Sequence, residues 1–138
     1  MIIEDVKNQR QASQLYINGD NISYFVSEHG LGKTIETIRQ SITRNEVIVA
    51  PWGDEYASFG FKKFSKGGKT DSKITYLTLP QMKDLTIQET YTEEHPLRLC
   101  VDEGRILLEE LLREKLGVPV QIDFMSLGIG DKYGTADN

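Results

Sequence analysis

Two short apolar segments near the amino terminus, LYING and DNISYFV, meet at the dipeptide Asn18-Gly19. Asparagine and glycine both tolerate the positive φ angles that tight hairpin turns require. The pattern therefore predicts two antiparallel strands as the first elements of the chain.

A helical repeat follows this hairpin. Four apolar residues recur at spacings of four, three and four, which predicts one buried face of a helix over roughly residues 31 to 44. They are Leu31, Ile35, Ile38 and Ile42. The polar residues Lys33, Glu36, Arg39 and Gln40 are expected on the outer face. Asn45 is a suitable helix end, because asparagine accepts the left-handed conformation found there.

The middle of the chain predicts strands. EVIVAPW is a short apolar strand that Pro51 closes, and the residues from Trp52 to Glu55 are expected at the rim of a pocket. Residues 55 to 79 predict a long hairpin, because EYASFGFKKF and KITYLTL are rich in aromatic and β-branched residues and SKGGKTDS between them is typical of a loop. DLTIQETY is a candidate for one more strand.

The carboxyl-terminal part predicts a helix over residues 92 to 116, which ends at Gly117. The CVDEG segment is expected in the early part of this helix. The alternative is that CVDEG forms the end of a strand and binds a metal ion. Apolar residues alternate from Val118 to Phe124, which predicts a half-buried strand. The element order is then β-β-α-β-β-β-(β)-α-β. It predicts a single α+β domain over residues 1–127, with a mainly antiparallel sheet, two helices packed on it, and a flexible tail at 128–138.

Composition narrows the functional classes. The chain has 138 residues, 16 Lys+Arg against 21 Asp+Glu, a net charge of −5, and a single cysteine, Cys100. One cysteine cannot form an internal disulfide, and no apolar run approaches the length of a membrane span. We therefore expect a small, acidic, cytoplasmic protein.

One stretch, YFVSEHGLGKTIETI, is a candidate for a phosphate-binding loop. Such a loop needs converging backbone N–H groups, glycines that permit close approach, and a lysine for the terminal phosphates. The candidate anion-binding residues are Gly30, Gly32, Lys33 and Thr34. The full pattern G-x4-G-K-[ST] has glycine where this chain has Ser27. The alternative is an ordinary turn followed by the exposed first turn of a helix.

The same residues carry two resemblances. EHGLGKTIETI resembles motif I of the superfamily 2 helicases and chromatin-remodelling ATPases, EVIVAP resembles motif Ia, and LCVDEG resembles the Asp-Glu motif that holds Mg²⁺. This resemblance implies those roles for Asp102 and Glu103. VIVAPWG, CVDEG and LGIGDKYG also resemble fragments of the carboxyl-terminal domain of thiamine-diphosphate enzymes, which implies a mainly structural domain.

The strongest compositional anomaly is a run of five lysines within twelve residues, opposed only by Asp71. They are Lys62, Lys63, Lys66, Lys69 and Lys73. Phenylalanines such as Phe61 alternate with them, and this combination favours a finger that contacts nucleic acid or another partner. Any nucleic-acid binding is expected to pass through these lysines. The alternative is a solvated hairpin with phenylalanines in the core.

No coherent catalytic set accompanies these features, and the two histidines and one cysteine lack metal-ligand spacing. The leading hypothesis is a non-enzymatic interaction module, without cofactor or metal, that binds a macromolecular partner, most readily a protein. Accessory or inhibitor proteins of mobile elements have this profile. It predicts negligible binding of ATP or GTP. The alternatives are a nucleic-acid-binding protein that uses the hairpin 59–73 and a nucleotide-binding protein that uses the Gly30–Thr34 loop.

Overall fold

The computed structural model describes residues 14–19, 21–28, 32–64, 75–87 and 90–130. The described residues form two compact units. One comprises those up to Lys33 and those from Asp123 onward, and the other is Thr34–Ile122. The prediction of one domain over 1–127 with a tail at 128–138 stays a prediction. In the described part of the chain no helix is long and apolar enough to cross a membrane.

The smaller unit contains the predicted amino-terminal hairpin, which is confirmed. Strand β1 (Gln14–Asn18) pairs with β2 (Ser23–Ser27) in antiparallel register, with Asn18 opposite Ser23. The turn closes through a hydrogen bond of 2.7 Å from the Gly19 N–H to the Ile22 carbonyl.

The larger unit is built on a parallel sheet. Its strands are β3 (Val47–Ala50), β4 (Lys62–Lys63), β5 (Thr75–Thr78) and β6 (Leu99–Val101). They lie in the order β4-β5-β3-β6, and each neighbouring pair is parallel. The prediction of an α+β fold with a mainly antiparallel sheet is therefore wrong. Every residue of β3 is buried, as expected for a parallel strand covered on both faces.

Four helices are found among the described residues. They are α1 (Lys33–Arg44), α2 (Asp54–Ser58), α3 (Leu79–Met82) and α4 (Gly104–Leu116). The bounds predicted for the first helix are nearly correct, and Asn45 ends it with a φ of 57°. The Gly117 stop is also confirmed, because this glycine ends α4 in the left-handed conformation.

The predicted buried face of α1 is only partly correct: Ile38 packs against the core, and Leu31 lies outside the described residues. Ile35 and Ile42 are exposed, whereas Glu36 and Ser41 are buried. These two polar residues tolerate burial because their hydrogen bonds are satisfied. Glu36 accepts from Gln40 at 2.9 Å and pairs with Arg39 at 2.8 Å, and the Ser41 hydroxyl donates to the carbonyl of Glu46.

The predicted hairpin over 55 to 79 is also wrong. Asp54–Ser58 is helical, and Lys62 and Lys63 pair in parallel with Thr75 and Tyr76. Because the two strands of a hairpin run antiparallel, this register excludes one.

The segment predicted as a helix over 92 to 116 divides into two elements. Leu99–Val101 is the strand β6, paired in parallel with Val47–Val49, and the helix begins only at Gly104. The interpretation of CVDEG as the early part of a helix is therefore wrong. A three-residue strand beside β3 gains its hydrogen bonds from a distant part of the chain, which the local helical spacing does not reveal.

Two further strand predictions fail in the described residues. Val118 to Phe124 has no regular structure, and the Ile122 N–H donates to the Glu109 carboxylate at 2.7 Å instead of to a neighbouring strand. DLTIQETY is not a strand where the structure describes it, and its residues 88 and 89 lie outside that part.

The core lies on both faces of β3. Alternate side chains of a strand point to opposite faces, so Val47 and Val49 join one cluster and Ile48 and Ala50 the other. The first cluster also contains Phe64, Leu77 and Leu107. The second contains Tyr56 and Tyr76, with Ile38, Phe61 and Cys100 packed against it.

Truncation of Ile48 to alanine should destabilise the larger unit by about 2–5 kcal/mol, because this residue is 0% exposed at the centre of the sheet. Urea unfolding measures the loss. The matched control is Ile35→Ala on α1, where the side chain is 54% exposed and the unfolding free energy should change by less than about 1 kcal/mol. Equal losses for the two variants would contradict this core assignment.

Candidate functional site

The carboxyl edge of the parallel sheet brings several sequence-predicted residues together. Strand β3 ends at Ala50 and β6 ends at Val101, and parallel strands end at the same edge. In open α/β sheets this edge is where ligands bind. The residues that follow these strands, Pro51 and Asp102, are both buried.

Asp102 is held firmly at this edge. Its backbone N–H donates to the Val49 carbonyl at 2.9 Å, which extends the pairing of β6 with β3 by one residue. Its side-chain oxygen Oδ2 accepts two hydrogen bonds, one from the Thr34 hydroxyl at 3.1 Å and one from the Tyr56 hydroxyl. Three elements, α1, α2 and β6, therefore converge on one carboxylate.

The surroundings of this carboxylate are unusual for a buried group. Asp102 is only 5% exposed, yet none of the described residues forms an ion pair with it. Buried carboxylates are normally paired with a cation or coordinate a metal, because an isolated buried charge is costly. Two neutral hydroxyl donors stabilise Asp102 without neutralising it, so the site is suited to receive a cation.

Tyr56 acts here only as a donor. Its hydroxyl is carried by the short helix α2, which follows β3 directly, and the residue is 1% exposed. Burial, and after it the hydrogen bond to Asp102, raise the pKa of Tyr56 well above the ordinary tyrosine value. The phenol therefore stays protonated at every physiological pH.

Thr34 lies in the first turn of α1, where backbone N–H groups have no partner inside the helix and the helix dipole is positive. Lys33 is the first residue of the helix, and Gly32 before it has a φ of +85°, a conformation that favours glycine. Gly30, the fourth predicted anion-binding residue, lies outside the described residues.

Glu103 follows Asp102 in the left-handed conformation, with a φ of 53°. Its carbonyl accepts from the Leu107 N–H at 2.9 Å, so it stands immediately before the helix α4. A glutamate in this conformation is uncommon and strained, and such strain is often found at functional sites.

Replacing Glu103 by glycine should raise the free energy of unfolding by roughly 0.5–1 kcal/mol, because glycine adopts the left-handed conformation without strain. Urea unfolding tests this. The control is Glu110→Gly within α4, where glycine should instead cost about 1 kcal/mol. A loss of stability in Glu103→Gly as large as in the control would show that the conformation carries no strain.

A cavity of about 600 Å³ opens beyond the ends of β3 and β5. Trp52, Gly53 and Asp54 line it, which confirms the predicted pocket rim for these three residues; Glu55 does not line it. Gly53 is needed for close packing, since a Cβ atom there would lie 2.3 Å from the ring of Tyr76.

The lysine-rich segment is described only in part. Lys62 and Lys63 are exposed on β4, and Lys63 also lines the cavity. Phe61 is half-buried, with its ring centre 6.1 Å from that of Tyr56. Lys66, Lys69 and Lys73 lie outside the described residues. Contact of this segment with a partner or nucleic acid stays a prediction.

Other candidate chemistry is sparse in the described part of the chain. No cluster of three or more histidine, cysteine, aspartate or glutamate residues is arranged to hold a metal ion there. The Cys100 sulfur donates to the Glu46 carboxylate at 3.4 Å, and burial raises the pKa of this thiol to about 12. Cys100 is therefore a protonated thiol and a poor nucleophile.

Comparison with protein-family models, with curated proteins and with solved structures finds no match to this chain.

The sequence pattern indicates Thr34 and Asp102 separately, but it does not indicate Tyr56. This tyrosine lies in a segment that was predicted as part of a hairpin, where nothing distinguishes it from its aromatic neighbours. Only the placement of α2 after β3 brings its hydroxyl to Asp102.

Proposed function

We propose that this chain binds a nucleoside triphosphate together with Mg²⁺, using Lys33 and Thr34 at the start of α1 together with Asp102. The observation that carries the proposal is the 3.1 Å hydrogen bond between the Thr34 hydroxyl and the buried Asp102 carboxylate, at the carboxyl edge of a parallel sheet. It favours the nucleotide-binding alternative over the non-enzymatic interaction module.

The chemistry of phosphate-binding loops explains why this contact is informative. In such proteins a Gly-Lys-[Ser/Thr] segment opens a helix, its lysine reaches the terminal phosphates, and its hydroxyl residue holds Mg²⁺ together with an aspartate from a strand end. Lys33, Thr34 and Asp102 are the corresponding residue types here. Thr34 and Asp102 are joined although 68 positions separate them in the chain.

The small number of acidic ligands is compatible with magnesium. Mg²⁺ usually keeps several water molecules and is bound through one or two carboxylates together with phosphate oxygens of the substrate. A Thr34 hydroxyl and one buried carboxylate therefore suffice on the protein side. Zinc is instead held by three or four His, Cys, Asp or Glu ligands, and the described residues offer no cluster of three such side chains.

Each residue then has a distinct task. The Lys33 ammonium neutralises phosphate charge, and the N–H groups of the first turn of α1 donate to phosphate oxygens. Thr34 and Asp102 hold the magnesium ion with its water. Ser27 stands where the full pattern has glycine, so the proposal depends on Gly32-Lys33-Thr34 and Asp102 and not on the first half of the pattern.

Melting temperatures of the protein, measured with a set of different ligands, test the proposal. ATP or GTP with Mg²⁺ should raise the melting temperature by several degrees, since a ligand at 100 times its Kd adds about 2.7 kcal/mol of stability. The shift should decrease with EDTA and be absent with AMP, which lacks the β- and γ-phosphates. Equal shifts with AMP or inorganic sulfate would indicate general anion binding and contradict the proposal.

A further inference from the structure

The Tyr56 hydroxyl has a contact that core packing does not require. Its ring stacks against Tyr76 with centres 5.9 Å apart and lies 6.1 Å from Phe61, which accounts for the burial of the aromatic part. The hydroxyl extends beyond this cluster and donates to Oδ2 of Asp102. The packing role and the polar role of Tyr56 are therefore separable by removing one oxygen atom.

The two hydroxyl donors to Asp102 share one oxygen. Thr34 and Tyr56 both donate to Oδ2, and no described residue donates a hydrogen bond to Oδ1. Two donors on one oxygen fix the rotation of the carboxylate about its Cβ–Cγ bond. The second oxygen keeps its lone pairs available for a metal ion or for metal-bound water.

We propose that Tyr56 is a positioning residue for magnesium: it holds the Asp102 carboxylate in the orientation that receives the hydrated ion. This inference rests on the proposed nucleotide-binding function. It assigns a specific role to a residue that lies outside the Gly-Lys-Thr segment and the Asp-Glu pair. Hydrogen-bonding partners of metal-binding carboxylates contribute in this way, and their loss typically weakens metal affinity by about 10- to 100-fold.

The alternative is that the Tyr56 hydroxyl competes with the ion for Asp102. A donor that must be displaced lowers metal affinity, so its removal would strengthen binding. The packing of the ring argues against competition, because Tyr56 is buried and packs against Tyr76. The two roles predict changes of opposite sign.

The test is a magnesium titration by calorimetry at fixed ATP, on wild type and on Tyr56→Phe. In the variant the Mg²⁺ concentration for half-saturation should rise about ten-fold. ATP affinity in EDTA should stay within about two-fold of wild type, because that binding does not use the ion. Circular dichroism and melting of the free variant establish that it is folded.

The matched control is Tyr76→Phe, which removes a hydroxyl from the same aromatic cluster, and no hydrogen bond joins that hydroxyl to Asp102. It should leave the magnesium titration unchanged. A double variant provides a second measurement: with Asp102→Asn already present, Tyr56→Phe should have no further effect on magnesium dependence.

The outcomes separate the two proposals. Unchanged or stronger magnesium affinity in Tyr56→Phe, with normal binding by wild type, overturns the role of Tyr56 and leaves the proposed function standing. Equal weakening with and without Mg²⁺ identifies a general structural effect and also overturns it. Absence of nucleotide binding by folded wild type overturns both.

Discussion

Replacing Asp102 by asparagine is expected to weaken Mg²⁺-dependent ATP binding by about 100-fold, which corresponds to about 2.7 kcal/mol. Asparagine keeps the shape of the side chain and an oxygen that accepts from Thr34 and Tyr56. It removes the negative charge that attracts the ion. Binding in EDTA should change little, so the loss should appear only when magnesium is present.

The free energy of unfolding provides an independent test of Asp102→Asn. Asp102 is a buried charge without an ion-pair partner among the described residues, so its neutralisation should alter the unfolding free energy by less than about 1 kcal/mol, or increase it. Urea unfolding measures this effect. The control is Asp84→Asn, an exposed aspartate of the same unit, which should affect neither quantity. Full magnesium dependence in folded Asp102→Asn would remove Asp102 from the site.

Replacing Lys33 by alanine should weaken Mg²⁺-ATP binding by about 100-fold or more, because a lysine at the start of the helix neutralises the terminal phosphates. Unlike the change at Asp102, this loss should persist in EDTA, since the lysine acts on the phosphates and not on the metal. Calorimetry of both variants under both conditions distinguishes the two roles.

The matched control for Lys33→Ala is Lys62→Ala. This lysine is exposed on the strand β4, and its removal changes the net charge of the chain by the same amount. If binding depends on overall charge or on the lysine-rich segment, the two variants should be equally impaired. A loss confined to Lys62→Ala would favour the alternative in which that segment contacts the anion.

The elements that sequence reasoning located correctly are those with local signals. The antiparallel hairpin β1–β2 was predicted correctly, but Asn18 belongs to β1 opposite Ser23 and neither Asn18 nor Gly19 has a positive φ, so the predicted tight Asn-Gly turn is wrong. The limits of α1 follow from helical spacing and from Asn45. The buried face of α1 could not be predicted in the same way. Burial of Glu36 and Ser41 depends on hydrogen bonds, among them one to the Glu46 carbonyl, which hydrophobicity does not reveal.

The parallel sheet was missed because its pairings join distant segments. Val47–Val49 pairs with Leu99–Val101, and no local pattern records that contact. One signal was available: VIVA is apolar without alternation, which is typical of a strand covered on both faces. The aromatic-rich segment before Lys62 instead resembled an antiparallel strand.

The sequence indicates only some of the residues of the candidate site. Gly32, Lys33 and Thr34 were recognised from their order, and Asp102 from its place before Glu103. The prediction of a helix through CVDEG separated Asp102 from Thr34, since a residue inside a helix cannot follow the end of a strand that pairs with β3. In the structure Leu99–Val101 is instead a strand, and Asp102 follows its end.

Isothermal titration of the wild-type protein with ATP, in Mg²⁺ and in EDTA, measures whether the chain binds the nucleotide and whether binding needs the metal ion. We expect saturable binding of one nucleotide per chain in the micromolar range with Mg²⁺, and binding at least about ten-fold weaker in EDTA. Absence of heat with folded protein and hundreds of micromolar Mg²⁺-ATP would contradict this expectation, as would binding that EDTA leaves unchanged.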